Sequence, residues 1–181
     1  KAANNTTSDT SPVWKNGGSL SVVAQGDIQV DQGSEIDVSG GAQRTQDGIV
    51  HAGNGGSISL SAEGINGSDL SYAGTAYGYA LSGGKGGKLS LASNEVILGT
   101  PEIQDTTSKI APLMIDPSLL TEGGFQSYSL ISNKSGLLVA PGTLASVQVK
   151  TRQLDPTAVT RQSGADIKSF SQVGLEPELS R

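Results

Sequence analysis

The chain of 181 residues contains no cysteine. A disulfide frame and a thiolate metal site are therefore excluded. Aromatic residues make up 4% and hydrophobic residues 35%, too little for a globule built around one thick core. Charged residues reach only 16%, so this is not a strongly charged chain that stays unfolded by self-repulsion. The net charge is −5, and the 12 Lys and Arg residues form no cluster. Nothing here would neutralise a phosphate backbone, so nucleic acid is not an expected partner. No run approaches the ~20 apolar residues that span a bilayer, and membrane insertion is not expected either. The chain opens "KAANNTTSDTSP", with neither Met nor the apolar core of a signal peptide. It reads as an excerpt or a mature product with a polar lead-in over 1–16.

What is present is glycine, 25 residues of it, and repetition. "GGSLSVVAQG" starts at Gly17, "GGSISLSAEG" at Gly55 and "GGKLSLASNE" at Gly86, and a divergent copy, "GGFQSYSLIS", starts at Gly123. The steps are 38, 31 and 37 residues. A catalytic site needs its special residues once, whereas a unit that stacks on itself needs them repeatedly. Inside each copy the period is two. Leu20, Val22 and Ala24 alternate with Ser19, Ser21 and Val23; Ile58, Leu60 and Ala62 alternate with Ser57, Ser59 and Ser61; Leu89 and Leu91 alternate with Lys88 and Ser90. Such alternation predicts strands with one buried face. Two further short strands follow the first copy, with Ile28, Val30, Ile36 and Val38 as inward candidates. Three short strands joined by tight turns describe one rung of a right-handed parallel β-helix, in which each strand pairs with its counterpart one rung away. The rival is a hairpin meander, which wants Asn-Gly turns between paired strands; Asn66-Gly67 offers one locally. The expected architecture is an all-β solenoid over 17–150. Excursions are expected at 41–54, 72–85 and 100–122, and an irregular arm or cap at 151–181. Asp116-Pro117 fits the start of one helical turn running to Leu120.

The rung sequences "GGSLSVVAQGDIQVDQGSEIDVSGG" and "GNGGSISLSAEG" resemble those of large bacterial exoproteins of the filamentous haemagglutinin type, the passengers of two-partner secretion. "LMIDPSLLTEGGFQSYSLISNKSGLLVAPGT", Leu113 to Thr143, is the more specific likeness. Its landmarks are Pro117 to Leu120, Gly123 to Phe125 and Ala140 to Thr143. The resemblance covers roughly 16–150. It implies an interior shaft segment of a secreted, cell-surface fibre serving adhesion, aggregation or biofilm formation. It also implies a receptor or glycan on a host or bacterial surface, and an outer-membrane transporter during export. The family's amino-terminal secretion motif is absent from this sequence.

Chemistry-bearing candidates are few, and no enzyme or cofactor is expected. Asp27, Asp31, Glu35 and Asp37 are close enough to raise the carboxylate pairs of polysaccharide-cleaving β-helices. The favoured reading is a solvated acidic rim that deters edge pairing, since Asp27 and Asp31 flank strand ends and Glu35 and Asp37 frame Ile36 on an outward face. His51, the only histidine, lacks the companions a zinc site needs. "GGKGGK", Gly83 to Lys88, puts Lys where a calcium-binding β-roll needs Asp, and it lacks the spacing of a phosphate loop. Asn5, Asn66 and Asn133 sit in glycosylation sequons. Tyr72, Tyr77 and Tyr79, in "SYAGTAYGYA", are the candidate ligand contacts, as an exposed ring cluster that stacks on sugar or protein; the plainer and favoured reading is that they pack this loop onto the solenoid wall. A glycan- or receptor-binding module using the three excursions is the alternative to the shaft.

Overall fold

A computed structural model describes residues 14–44, 49–64, 69–81, 83–101, 111–154, 168 and 171–175. In chain order these form β1 (Ser19–Ala24), β2 (Ile28–Val30), β3 (Glu35–Asp37), β4 (Ala42–Arg44), β5 (Val50–Ala52), β6 (Ser57–Ala62), β7 (Leu70–Tyr72) and β8 (Thr75–Tyr77). There follow β9 (Gly87–Ser93), β10 (Val96–Leu98), β11 (Leu113–Ile115), a single 3-10 turn (Pro117–Leu120), β12 (Phe125–Ser132), β13 (Leu137–Val139), β14 (Lys150–Leu154) and β15 (Ser171–Leu175). The protein is all-β, and most of its strand pairs are parallel.

Each Gly-Gly copy opens a strand of one sheet, in the order β1-β6-β9-β12. All three pairings are parallel. The chain thus makes four passes through this sheet. Leu20, Ile58, Leu89 and Tyr128 stand in one column, and Val22, Leu60, Leu91 and Leu130 in the next. Ser21, Ser59, Ser90 and Ser129 line up on the opposite face. The period-two pattern therefore does what it predicts: one face is aliphatic and packed, the other small and hydroxylated. Burial is greatest in the middle passes. Leu60 is 2% and Leu91 0% exposed, whereas Val22 and Leu130, at the two ends of that column, are only half-buried.

The shorter strands stack in the same way. β2 pairs with β7, β3 with β8, and β10 with β13, all parallel. β11 pairs in parallel with β10 on the side away from β13 and lies beside β7. Leu113 N–H donates to Glu95 O at 2.9 Å, Gly99 N–H to Ile115 O at 2.9 Å, and Ala111 N–H to Asp69 Oδ2 at 3.0 Å. The stretch 100–122 is thus not a simple excursion: it re-enters the sheet, because Leu113 and Ile115 find core neighbours there. The helical turn expected after Asp116 is present, with the Asp116 side chain accepting Ser118 N–H at 2.8 Å.

The Gly-Gly pairs are needed for space more than for positive φ. A Cβ on Gly17 would lie 1.7 Å from Val38 O, one on Gly55 2.0 Å from Gly78 O, and one on Gly56 1.9 Å from Gly18 O. Backbones of successive passes meet at this corner, and only hydrogen fits. The divergent fourth pair, Gly123-Gly124, does take positive φ, at 84° and 72°.

Two expected loops contain strands. Between 41 and 54, β4 and β5 pair antiparallel. The stretch 72–85 holds β8, whose Ala76 faces the core, so it is a pass of the stack before it is a loop. At the C-terminal end β14 and β15 pair antiparallel, and Leu81 bridges to Arg152. Asn66-Gly67, and with it the local hairpin turn, lies outside the described residues, as does Asn5.

Candidate functional site

Of the two readings of the tyrosines, the structure gives packing on the wall of the stack for Tyr72 and Tyr79 rather than an exposed cluster. Tyr79 is 5% exposed. Its hydroxyl accepts Gly123 N–H at 3.2 Å, and the Arg152 guanidinium lies 4.8 Å from its ring. Burial pushes its pKa up, against the Gly123 hydrogen bond and the nearby Arg152. Tyr77 stacks on Tyr79 at 5.9 Å and carries the Lys168 ammonium 4.9 Å from its ring centroid. The chain's own C-terminal arm therefore supplies the cations that two of the rings attract. Tyr72 is half-buried against the core, and its buried hydroxyl has no hydrogen-bond partner among the described residues. Burial, with Tyr77 beside it, pushes that phenol up to about 12.

Tyr72 and Tyr77 nevertheless share one cleft of about 240 Å³. It opens between the β7–β8 turn and the β11–Pro117 segment, with Thr75, Met114, Asp116 and Glu122 on its walls. Parts of two of the three excursions meet here, 72–77 and 114–122; no described residue of the third, 41–54, lines the cleft. Asp116 is held by its cap, and the Ser118 hydrogen bonds keep its carboxyl below the usual range.

Asp27, Asp31, Glu35 and Asp37 all have partners within the protein. Asp27 Oδ1 accepts Asp69 N–H at 3.0 Å, and Asp69 Oδ2 accepts Ala111 N–H, so two carboxylates link successive segments at one corner. Asp31 Oδ1 accepts from Gln29 at 2.6 Å. Glu35 and Asp37 do converge, on Lys168, at 2.6 and 2.9 Å. Burial raises the Asp37 pKa, but hydrogen bonds from Ser39 and Lys168 outweigh it and hold the carboxyl below its ordinary value. A carboxylate pair neutralised by an internal lysine is poorly placed for acid–base work. His51 lies parallel to Trp14, with ring centroids 4.5 Å apart. "GGKGGK" is a turn in which Lys85 N–H donates to Asn54 Oδ1 at 2.8 Å. Asn133 is exposed at the β12–β13 corner. Among the described residues no three His, Asp or Glu gather as metal ligands, and no helix is long and apolar enough to cross a membrane.

Sequence reasoning missed the asparagine ladder. Asn16 Oδ1 accepts Asn54 N–H at 2.9 Å, and Asn54 Oδ1 accepts Lys85 N–H one pass on. The signal was available: Asn precedes Gly-Gly at both 16 and 54. The Lys168 clamp had no local signal, since Glu35 lies 133 residues away and Asp37 lies two residues nearer. Comparison of the chain with protein-family models, with curated proteins and with solved structures finds no match.

Proposed function

We propose that this chain is a segment of a right-handed parallel β-helix and that its work is mechanical. It is a stiff length of shaft in a secreted bacterial exoprotein of the adhesin type, supporting attachment, aggregation or biofilm formation at the cell surface. The observation that carries the reading is the register of β1, β6, β9 and β12: four passes, parallel, with the same columns inward and the same serines outward. Each pass adds about 4.8 Å of length and contacts only its neighbours, so stiffness and reach grow with the number of passes. No disulfide or cofactor is needed, which suits export of an unfolded chain through an outer-membrane transporter. Adhesin identity and export rest on the likeness of the rung and Leu113–Thr143 sequences to filamentous haemagglutinin-type proteins.

The test is a reach assay. The chain is placed between a surface anchor and a receptor-binding tip on a non-adherent bacterium. A shaft restores binding to receptors beneath a thick glycan layer, and a Gly-Ser linker of equal residue number does not. Equal performance of the two inserts sinks the mechanical role.

A second reading, a glycan-binding module, is favoured by one observation: the unpartnered Tyr72 hydroxyl on a cleft that also holds Asp116 and Glu122. Neutral sugar hydroxyls are the groups such a wall would accept from. Binding on a glycan array that Tyr72→Phe abolishes would establish it, and silence across the array removes it.

A further inference from the structure

The cleft beside Tyr72 exists because one level of the stack has a turn where its neighbour has a strand. β8 pairs with β3 on one side. On its other side lies the 3-10 turn Pro117–Leu120 with the residues that follow it. The two segments touch at one end, where Gly78 N–H donates to Gly123 O at 2.7 Å and Gly123 N–H to the Tyr79 hydroxyl at 3.2 Å. Elsewhere they part and leave about 240 Å³ on the flank of the stack. Pockets for drug-sized ligands begin at about 300 Å³, so this one suits a single sugar ring or a single side chain.

The wall holds two kinds of unmet polar group. Asp116 and Glu122 are its charged side chains, and no Lys or Arg is among the described lining residues. Among the described residues neither carboxylate pairs with a cation. The Ser118 hydrogen bonds keep the Asp116 carboxyl below the usual range, so it is ionised near neutrality and can only accept. Tyr72 is the opposite case. Its buried hydroxyl has no partner among the described residues. Burial, with Tyr77 beside it, raises the phenol to about 12, so it stays an O–H donor that lacks an acceptor. A lysine side chain brings three donors and no acceptor, and would leave Tyr72 unmet. A neutral sugar would meet Tyr72 and leave both carboxylates without a counter-charge. We infer that the occupant is an amino sugar with a free, protonated amine, its ammonium against Asp116 and Glu122 and one of its oxygens accepting from Tyr72. This rests on the glycan-binding reading above and names the sugar it takes. The molecule shows the same chemistry once already: the Lys168 ammonium sits on Glu35 and Asp37 at 2.6 and 2.9 Å, beside the Tyr77 ring.

The test is titration calorimetry on the full chain at about pH 6, below the ordinary range of amino groups. The probes are tetrasaccharides of one linkage, β-1,4-linked glucose, N-acetylglucosamine and glucosamine. Two partly exposed ion pairs are worth about a two- to thirtyfold gain in affinity, and glucosamine is expected to lead the other two by that margin. Asp116→Asn removes the charge and keeps a side chain able to cap the turn. Together with Glu122→Gln it is expected to erase the margin, as is molar salt. If circular dichroism shows that Asp116→Asn does not fold, Glu122→Gln alone decides, because Glu122 is exposed, and it must narrow the margin. Tyr72→Phe is expected to weaken all three sugars alike. Glucose or N-acetylglucosamine binding as tightly as glucosamine overturns the free amine and leaves the glycan reading standing. A margin that survives the charge substitutions, or sugar binding untouched by Tyr72→Phe, overturns the placement in this cleft. Nα-acetyl-lysine amide binding as tightly as the glucosamine probe makes the occupant a protein lysine and overturns the sugar. No binding of glucosamine overturns the inference, and silence across the glycan array removes the broader reading with it.

Discussion

Gly56→Ala is the most direct test of why the Gly-Gly pairs recur. The new Cβ would lie 1.9 Å from Gly18 O and 2.7 Å from Gly17 C, atoms of the preceding pass. These are backbone atoms, with no rotamer to yield. Relief requires moving the Gly18 carbonyl by more than an ångström, which breaks the bond it accepts from Ser57 N–H at 3.0 Å. Overpacking of this kind costs about 1–3 kcal/mol, and an orphaned backbone pair about 1–3 kcal/mol more. Loss of unfolded-state freedom on replacing Gly returns about 0.4–1 kcal/mol. The net expectation is destabilisation by about 1–5.6 kcal/mol, or a fall in Tm of roughly 2–22 °C for a chain of this size. Gly18 supplies the control. A Cβ there meets nothing within 4 Å, and its φ is not positive, so Gly18→Ala is expected to be neutral or to stabilise by up to about 1 kcal/mol. Thermal and urea unfolding followed by far-UV circular dichroism reads both. Equal stability of the two variants would refute the close-approach argument and leave these glycines as ordinary turn residues.

Four further outcomes follow from particular contacts. Phe125, 0% exposed beside Tyr128, is expected to cost about 3–5 kcal/mol as Phe125→Ala in urea unfolding; a loss under about 1 kcal/mol would mean that β12 is not docked as described. Asn54→Ala removes the acceptor of Lys85 N–H and should cost about 1 kcal/mol, with Asn54→Asp recovering most of it, both read as Tm. Tyr72→Phe deletes a buried hydroxyl without a partner and should leave Tm unchanged or raise it, whereas a drop would reveal a hidden bond. The Lys168 clamp is partly exposed, so its contribution is about 0.2–1 kcal/mol. The Asp37 share, held by a lowered folded pKa, is complete above the unfolded value of 3.8 and disappears as pH falls through the folded value below it. The lysine share has the opposite sign: although burial lowers the Lys168 pKa, Glu35 and Asp37 raise it above 10.5, so the share is complete below 10.5 and lost as pH rises through the raised value. Lys168→Ala should therefore fall below the unmodified chain near neutrality and converge with it at both extremes; a constant offset at all pH values would remove the ion pair as the cause.

The main sheet was legible because its information is local. Alternation in "SLSVVA", "SISLSA" and "KLSLAS" fixes which face of each strand is buried, and the recurring Gly-Gly fixes where each pass starts. The insertion of β11 was hidden, since nothing in "PLMIDPS" says that Leu113 and Ile115 will lie between β7 and β10. The tyrosines left two readings open for a related reason. Their spacing looked like an exposed loop, but Ala76 and Tyr79 are inward positions of a pass whose neighbours lie some 40 residues away in the chain. The arm that covers Tyr77 and Tyr79 is farther still. Contacts set by long-range stacking leave no trace in a window of ten residues, whereas a repeated corner leaves one every pass.

The two polar ladders explain how a thin core can hold register without disulfides. Aliphatic columns alone specify register weakly, because sliding by two residues keeps the same residues inward. Asn16 and Asn54 each fix one backbone N–H of the following pass at the Gly-Gly corner, and Asp27 and Asp69 do the same at another corner. A slip of two residues would move these acceptors about 6.6 Å from their donors. It would also drive side chains into the space that Gly17, Gly55 and Gly56 keep clear. Apolar columns supply the affinity between passes, and the side-chain ladders with the glycine corner supply the address. Neither ladder continues unchanged into the last pass: Lys85 and Glu122 stand before the third and fourth Gly-Gly pairs, where Asn stood before. The β9–β12 contact therefore keeps columns and backbone but has fewer addressing groups, and it is the one pairing of this sheet with a register shift, between Phe125 and Ser127.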